Sequence, residues 1–134
     1  RYIHFHYPKL TKIGILGTTG TLISKIYPDI FQRYNLEVIE PSNEIQTMFV
    51  SPSIYDKEYG IKSVANPVDV KAKQNLITAA TYLSRKGAEA IVLGCTEIPL
   101  AITESVIENS IVIDATSILA QALIRESKYI RNLF

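Results

Sequence analysis

Two rhythms of apolar residues alternate along this chain. Short β-branched runs stop at glycine, proline or a polar cluster: KIGILG (12–17), LEVIEP (36–41), EAIVLG (89–94) and SIVIDA (110–115). Runs of this length and composition are expected as buried strands. Between them the apolar spacing is helical. LISKIYPDIFQRYN carries Leu22, Ile23, Ile26, Ile30 and Phe31 at helical spacing, and Pro28 is expected to kink that helix or end it early. SNEIQTMFVSPSIY, with Ile45, Met48, Phe49 and Ile54, reads as one or two helical pieces broken around Pro52.

The best-marked helix follows the polar, glycine-containing loop DKEYGIKSVANP. Asn66 is expected to cap it, Pro67 to suit its first turn, and Asp69 to favour the positive end of its dipole. Leu76, Ala79, Ala80 and Leu83 form its inner stripe, and Arg85, Lys86 and Gly87 mark its end. EIPLAI (97–102) is a short helix or turn. Thr116 can cap a last helix with Ile118, Leu119, Ala122 and Leu123 as its apolar positions.

Strands alternating with helices of this length predict an α/β fold, a parallel sheet with helices on both faces. Such sheets bind ligands beyond the carboxyl ends of their strands. GTTGT (17–21) and GCTE (94–97) each follow a predicted strand, so both are expected along one edge.

Composition narrows the classes. The chain has 134 residues, the size of one ordinary domain, with 47% apolar and 20% charged residues, a globular balance. A formal net charge of +1 gives no basic face for a nucleic-acid partner, and the apolar runs are far too short for a membrane span. The single cysteine, Cys95, cannot form an internal disulfide, which agrees with a reducing, cytoplasmic setting. Residue 1 is Arg1 and the only methionine is Met48, so either a short leader was removed or this is a piece of a longer protein.

Candidate chemistry sits at the two strand-end clusters. In GILGTTGT, Gly14, Gly17 and Gly20 could bring backbone amides to an anion, but the P-loop Lys-Ser/Thr pair and the GxGxxG spacing are both absent. Thr18, Thr19 and Thr21 add hydroxyls, a set suited to a small carboxylate. In GCTE, Cys95 is expected at the start of a helical turn, where free N–H groups and a positive dipole end lower a thiol pKa. Thr96 can bind a ligand or cap the turn, and Glu97 can orient donors nearby. A small buried, inert cysteine is the other reading of the same pattern. His4 and His6 alternate in an extended, solvent-facing stretch with no further metal ligand at useful spacing. Asp114 reads as a capping or turn residue, Lys62 as a loop lysine able to reach a carboxylate, and Gln46 is ambiguous.

The ordered blocks KIGILGTTGT…IY, VIEP…Q, IYDKEYGIKS, GAEAIVLGCTEIPLAI and IVIDATSILAQALI resemble the aspartate/glutamate racemase family, most closely the aspartate racemase type. The resemblance covers residues 12 to 124. It implies a Rossmann-like or flavodoxin-like parallel sheet flanked by helices, residues 12–134 being the C-terminal one of the two α/β domains that family members have. Residues 1–11 form an N-terminal stub that the resemblance does not reach. It also implies a small amino-acid substrate of the aspartate or glutamate class, racemised between two cysteines without a cofactor or metal. By the same resemblance Cys95 is one catalytic cysteine and Thr96 a carboxylate contact. Thr18, Thr19 and Thr21 are the threonine loop, and Lys62 meets the substrate's side-chain carboxylate.

The chain departs from that pattern in two places. The block carrying the first cysteine of the family is absent, and Val64 stands where the lysine loop usually has glycine. Alone, the chain is therefore expected to be inactive or nearly so as a racemase, and either to self-associate, as a homodimer or otherwise through the face left by the missing domain, or to be unstable on its own. One-thiol chemistry that protonates a single face, as in arylmalonate-type decarboxylases, and a non-catalytic carboxylate-binding module are the alternatives.

Overall fold

The computed structural model describes residues 1–131, so residues 132–134 of the expected domain lie outside the described residues. In chain order the elements are α1 (Tyr2–His6), β1 (Lys12–Leu16), α2 (Thr19–Ile23), α3 (Ile26–Gln32), β2 (Glu37–Ile39), α4 (Asn43–Ile45), a wide π-helical turn (Gln46–Val50), α5 (Ser51–Tyr55), α6 (Val70–Arg85), β3 (Ala90–Leu93), α7 (Ile98–Ala101), β4 (Val106–Ile107), β5 (Ser110–Asp114) and α8 (Ala115–Arg131). They build a five-stranded sheet in the order β2-β1-β3-β5-β4. The four strands expected from the sequence are parallel to their neighbours, with Ile13 beside Ala90 and Ile91 beside Val112. The fifth, β4, hairpins back antiparallel on β5. Two residues carry no periodicity, which is why it is invisible in the sequence.

Alternate strand residues face opposite layers, as the pleat requires. Ile13, Ile15, Ala90 and Val92 point into one core with Ile3 of α1, Tyr27 and Phe31 of α3 and Ile118 of α8. Leu16, Ile91 and Leu93 point into the other, under Val50, Ile54, α6 and Ile98 of α7. The inner stripe of α6 stands as expected: Leu76, Ala79, Ala80 and Leu83 are fully buried. Each buried leucine contributes about 1.5–3 kcal/mol of transfer free energy. Gly14 serves this packing and not an anion. A Cβ there would lie 3.1 Å from Ala88 Cβ and 3.2 Å from Leu83 Cβ, so the bare strand lets α6 lie close.

Several local expectations are corrected. The stretch with His4 and His6 is one turn of helix and not extended. Ile3 is buried in the core and the Tyr2 and His6 rings sit 4.3 Å apart across the turn, while both histidines are exposed. The break in the first helical run precedes Pro28: Lys25 takes the left-handed conformation (φ 55°) between α2 and α3, and Pro28 falls in the first turn of α3. Pro52 breaks nothing, because the turn before it opens to i→i+5 bonding, with Ser51 N–H donating to the Gln46 carbonyl. α6 is capped by Asp69, whose Oδ1 accepts from Lys71 N–H at 2.7 Å, and not by Asn66. Thr116 lies inside α8, whose first amides donate to Asp114 Oδ1 (Thr116 N at 2.9 Å and Ser117 N at 3.1 Å), the capping role read for that residue.

Candidate active site

β1 and β3 run side by side and in register, Leu16 beside Leu93, so their carboxyl ends deliver GTTGT and GCTE to the same edge of the sheet. Gly94 N–H donates across to the Leu16 carbonyl at 2.7 Å and ties the two loops at their roots. Cys95 is half-buried against the α6 side of the core, one residue past Gly94. α7 begins only at Ile98, so Cys95 through Glu97 form a short bend before it.

The thiol faces a carboxylate. Cys95 Sγ donates to Glu97 Oε2 at 2.8 Å, Thr96 Oγ1 donates to the same oxygen at 2.9 Å, and Lys62 Nζ approaches Glu97 Oε1 at 3.8 Å. Glu97 thus gathers three of the sequence candidates, and its carboxyl is held below the usual range, first by the thiol's hydrogen bond and also by Thr96 and Lys62. Lys62 is steadied from the other side by the Tyr55 ring, whose centroid lies 4.7 Å from Nζ.

This arrangement reverses the expected thiol chemistry. Burial pushes the Cys95 pKa up, and its hydrogen bond to Glu97 pushes it further. The expected backbone donors are present, since the amides of Glu97 and Ile98 pull the other way, but burial and the carboxylate outweigh them. At rest Cys95 is a protonated thiol beside an ionised glutamate.

The threonine loop is partly occupied with its own structure. Thr18 caps α2: its Oγ1 accepts from Thr21 N–H at 3.1 Å and lies 3.0 Å from Thr21 Oγ1. Thr19 Oγ1 lies 3.1 Å from Ser51 Oγ and 3.4 Å from Gln46 Nε2. Gln46 Nε2 also donates to the Gly17 carbonyl at 3.0 Å.

Four neighbours went unseen in the sequence reading or stayed ambiguous: Gln46, Ser51, Tyr55 and Tyr27. Tyr27 packs on the strand end itself. A Cβ on Gly94 would lie 2.9 Å from Tyr27 Oη and 3.0 Å from its Cε2, so the absent side chain is what lets the ring lie there. Burial, and then the neighbouring Cys95, push the Tyr27 phenol pKa up. The motif spacing in VIEP…Q was the one signal for Gln46. Tyr27 and Tyr55 stand in the blocks …IY and IYDKEYGIKS, with no role read for either. The larger cavity, about 820 Å³ between α1, α3 and α8, reaches Tyr27 but is not lined by Cys95. Among the described residues no three His, Cys, Asp or Glu side chains are grouped to hold a metal ion, and no helix is long and apolar enough to cross a membrane.

The Asp/Glu/Hydantoin racemase family profile matches residues 4–123, and the chain belongs to that family. An uncharacterized protein of the pnlA 3′ region of Pectobacterium carotovorum subsp. carotovorum is 33% identical over 96 residues, covering 72% of this chain and 59% of that protein. Among solved structures, an aspartate racemase homologue from Pyrococcus horikoshii OT3 superposes with a TM-score of 0.71 at 26% identity, over 90% of this chain and 50% of that one. The aspartate racemase of Picrophilus torridus gives 0.69 at 26% identity, over 90% and 47%. The chain therefore spans about half the length of these solved relatives.

Proposed function

We propose that this chain is one half of a cofactor-independent amino-acid racemase of the aspartate/glutamate type, with Cys95 as one of its two acid/base thiols. The observation that carries the reading is geometric: Cys95 on the carboxyl edge, hydrogen-bonded to Glu97, with Thr96 and Lys62 on the same carboxylate and the threonine loop on the neighbouring strand end.

Racemisation must remove the Cα proton, a very weak acid, and return one to the opposite face. The carbanion's charge spreads onto the α-carboxylate, where donors stabilise it. Thr18, Thr19, Thr21 and Thr96 supply hydroxyls for that carboxylate. The Lys62 ammonium, turning from Glu97, pairs with the substrate's side-chain carboxylate. Cys95 then acts first as the acid: its S–H bond breaks, a C–H bond forms at Cα, and a thiolate remains. In the reverse direction that thiolate takes the proton back. Glu97 keeps the resting proton on sulfur and the substrate's carboxylate oriented away from it.

The opposite face needs a second thiol, and this chain has one cysteine. We assign it to a partner half, another copy or a separate domain. Ile23, Ile26 and Leu100, which are 73%, 55% and 54% exposed on the helices that follow β1 and β3, offer apolar surface for that partner.

The resting protonation of the lone thiol also favours a second reading, a single-face protonation such as a decarboxylase performs. Protection of Cys95 from iodoacetamide tests the shared core of both readings. Millimolar L- or D-aspartate or glutamate is expected to slow alkylation, and no protection by any of the four contradicts an acidic amino-acid site here.

A further inference from the structure

We propose that Gln46 and Ser51 form a positioning pair, and that the wide turn at Gln46–Val50 serves to set both against the Gly17–Thr19 loop. This rests on the reading above that the loop receives a carboxylate.

Gln46 is 95% withdrawn from solvent by its 5% exposure, yet its carboxamide is not used to full capacity. Nε2 donates to the Gly17 carbonyl at 3.0 Å and lies 3.4 Å from Thr19 Oγ1 and 3.5 Å from Ser51 Oγ. Oε1 is buried and no donor among the described residues reaches it. An unpaired buried acceptor is destabilising, and a methionine of similar shape would fill the same space without that penalty. Packing alone therefore does not call for glutamine here, whereas holding the Gly17 carbonyl does.

The helix geometry points the same way. In an α-helix the side chains that meet are three or four apart, not five. The i→i+5 bond from Ser51 N–H to the Gln46 carbonyl makes this turn wide, and it carries the Ser51 hydroxyl to Gln46 Nε2 and to Thr19 Oγ1, 3.1 Å away. Thr19 and Gly17 are thus fixed from outside α2, by residues that need not touch the ligand. Thr18 and Thr21 are fixed from within by the cap.

The test compares the wild-type chain with Gln46→Met and Ser51→Ala by thermal melting, amide hydrogen exchange at Thr21 and Leu22, whose N–H groups donate to Thr18 Oγ1 and the Thr18 carbonyl, and titration with L-aspartate followed by NMR. Gln46→Met is expected to melt close to the wild-type temperature, because relief of the unpaired Oε1 offsets loss of the bond to the Gly17 carbonyl. Its loop amides should exchange about tenfold faster, and it should bind L-aspartate about fivefold more weakly, the scale of one net hydrogen bond. Ser51→Ala is expected to change the same two readouts in the same direction by about two- to threefold, with its melting temperature kept. Should Gln46→Met fail to fold, Ser51→Ala decides. Unchanged loop exchange in the folded variants overturns the proposal whatever the ligand does. Wild-type protein that does not bind L-aspartate overturns the carboxylate reading instead, while faster loop exchange in the variants still sustains the clamp.

Discussion

Cys95 Sγ donates a hydrogen bond of 2.8 Å to Glu97 Oε2, a contact that favours the neutral thiol and the ionised carboxylate together. The carboxylate raises the thiol pKa as the thiol lowers that of the carboxyl. Because the thiolate is the reactive form, this pairing sets how fast Cys95 meets an alkylating agent.

The pH dependence of iodoacetamide alkylation should therefore have its midpoint above about 8.5, the value of a free thiol, and Cys95 in urea should return to it. Glu97→Gln removes the negative charge and is expected to lower the midpoint and speed alkylation at neutral pH several-fold. A midpoint at or below that of the denatured protein contradicts the thiol assignment. The sign carries into stability. A pKa raised by folding contributes stability that is present below the unfolded value and lost as the pH rises through the folded one. Wild type should lose more stability than Cys95→Ser above about pH 8.5.

Tyr27 and Gly94 make a second, steric prediction. The Cβ of Gly94→Ala would enter within 2.9 Å of Tyr27 Oη, and the ring must tilt away from the strand end. Overpacking of this kind costs about 1–3 kcal/mol. Urea unfolding should show that loss, and the alkylation rate of Cys95 should change with it. Full stability in Gly94→Ala would mean that the ring does not press on the strand.

At the other end of the sheet, Glu89 binds the start of β1. Its Oε2 accepts from Thr11 N–H at 2.6 Å, Lys12 N–H at 2.9 Å and Thr11 Oγ1 at 3.1 Å. The two backbone bonds hold its carboxyl below the usual range. A pKa depressed by folding contributes stability above the unfolded value, about 4.3, and loses it as the pH falls through the folded one. Glu89→Gln is expected to be less stable than wild type at pH 7 and to lose less between pH 5 and 3, by urea midpoints. Parallel acid limbs for the two proteins would contradict the role.

Much of this architecture was legible because single strands and helices announce themselves locally. KIGILG, EAIVLG and the Leu76–Leu83 stripe each carry their own period, and parallel pairing brings their ends together. Cys95 was legible as a candidate through its neighbours along the chain. Its protonation state was not, because burial and the reach of the Glu97 side chain are tertiary facts that outweigh the local amides. Gln46 and Tyr27 stayed dim for the same reason: one acts through the wide turn that accommodates Pro52, the other through a ring laid on a distant glycine. Proline and cap positions misled where two candidates competed, as Asp69 did with Asn66.

Deuterium exchange at Cα of aspartate and glutamate in heavy water, followed by NMR with Cys95→Ser as control, tests the central claim most directly. One thiol takes and returns a proton on one face, so the chain by itself should label a single enantiomer with retention, faster at higher pH as Cys95 ionises. The labelling should vanish in Cys95→Ser. Exchange that survives the substitution would contradict Cys95 as an acid/base of amino-acid racemisation.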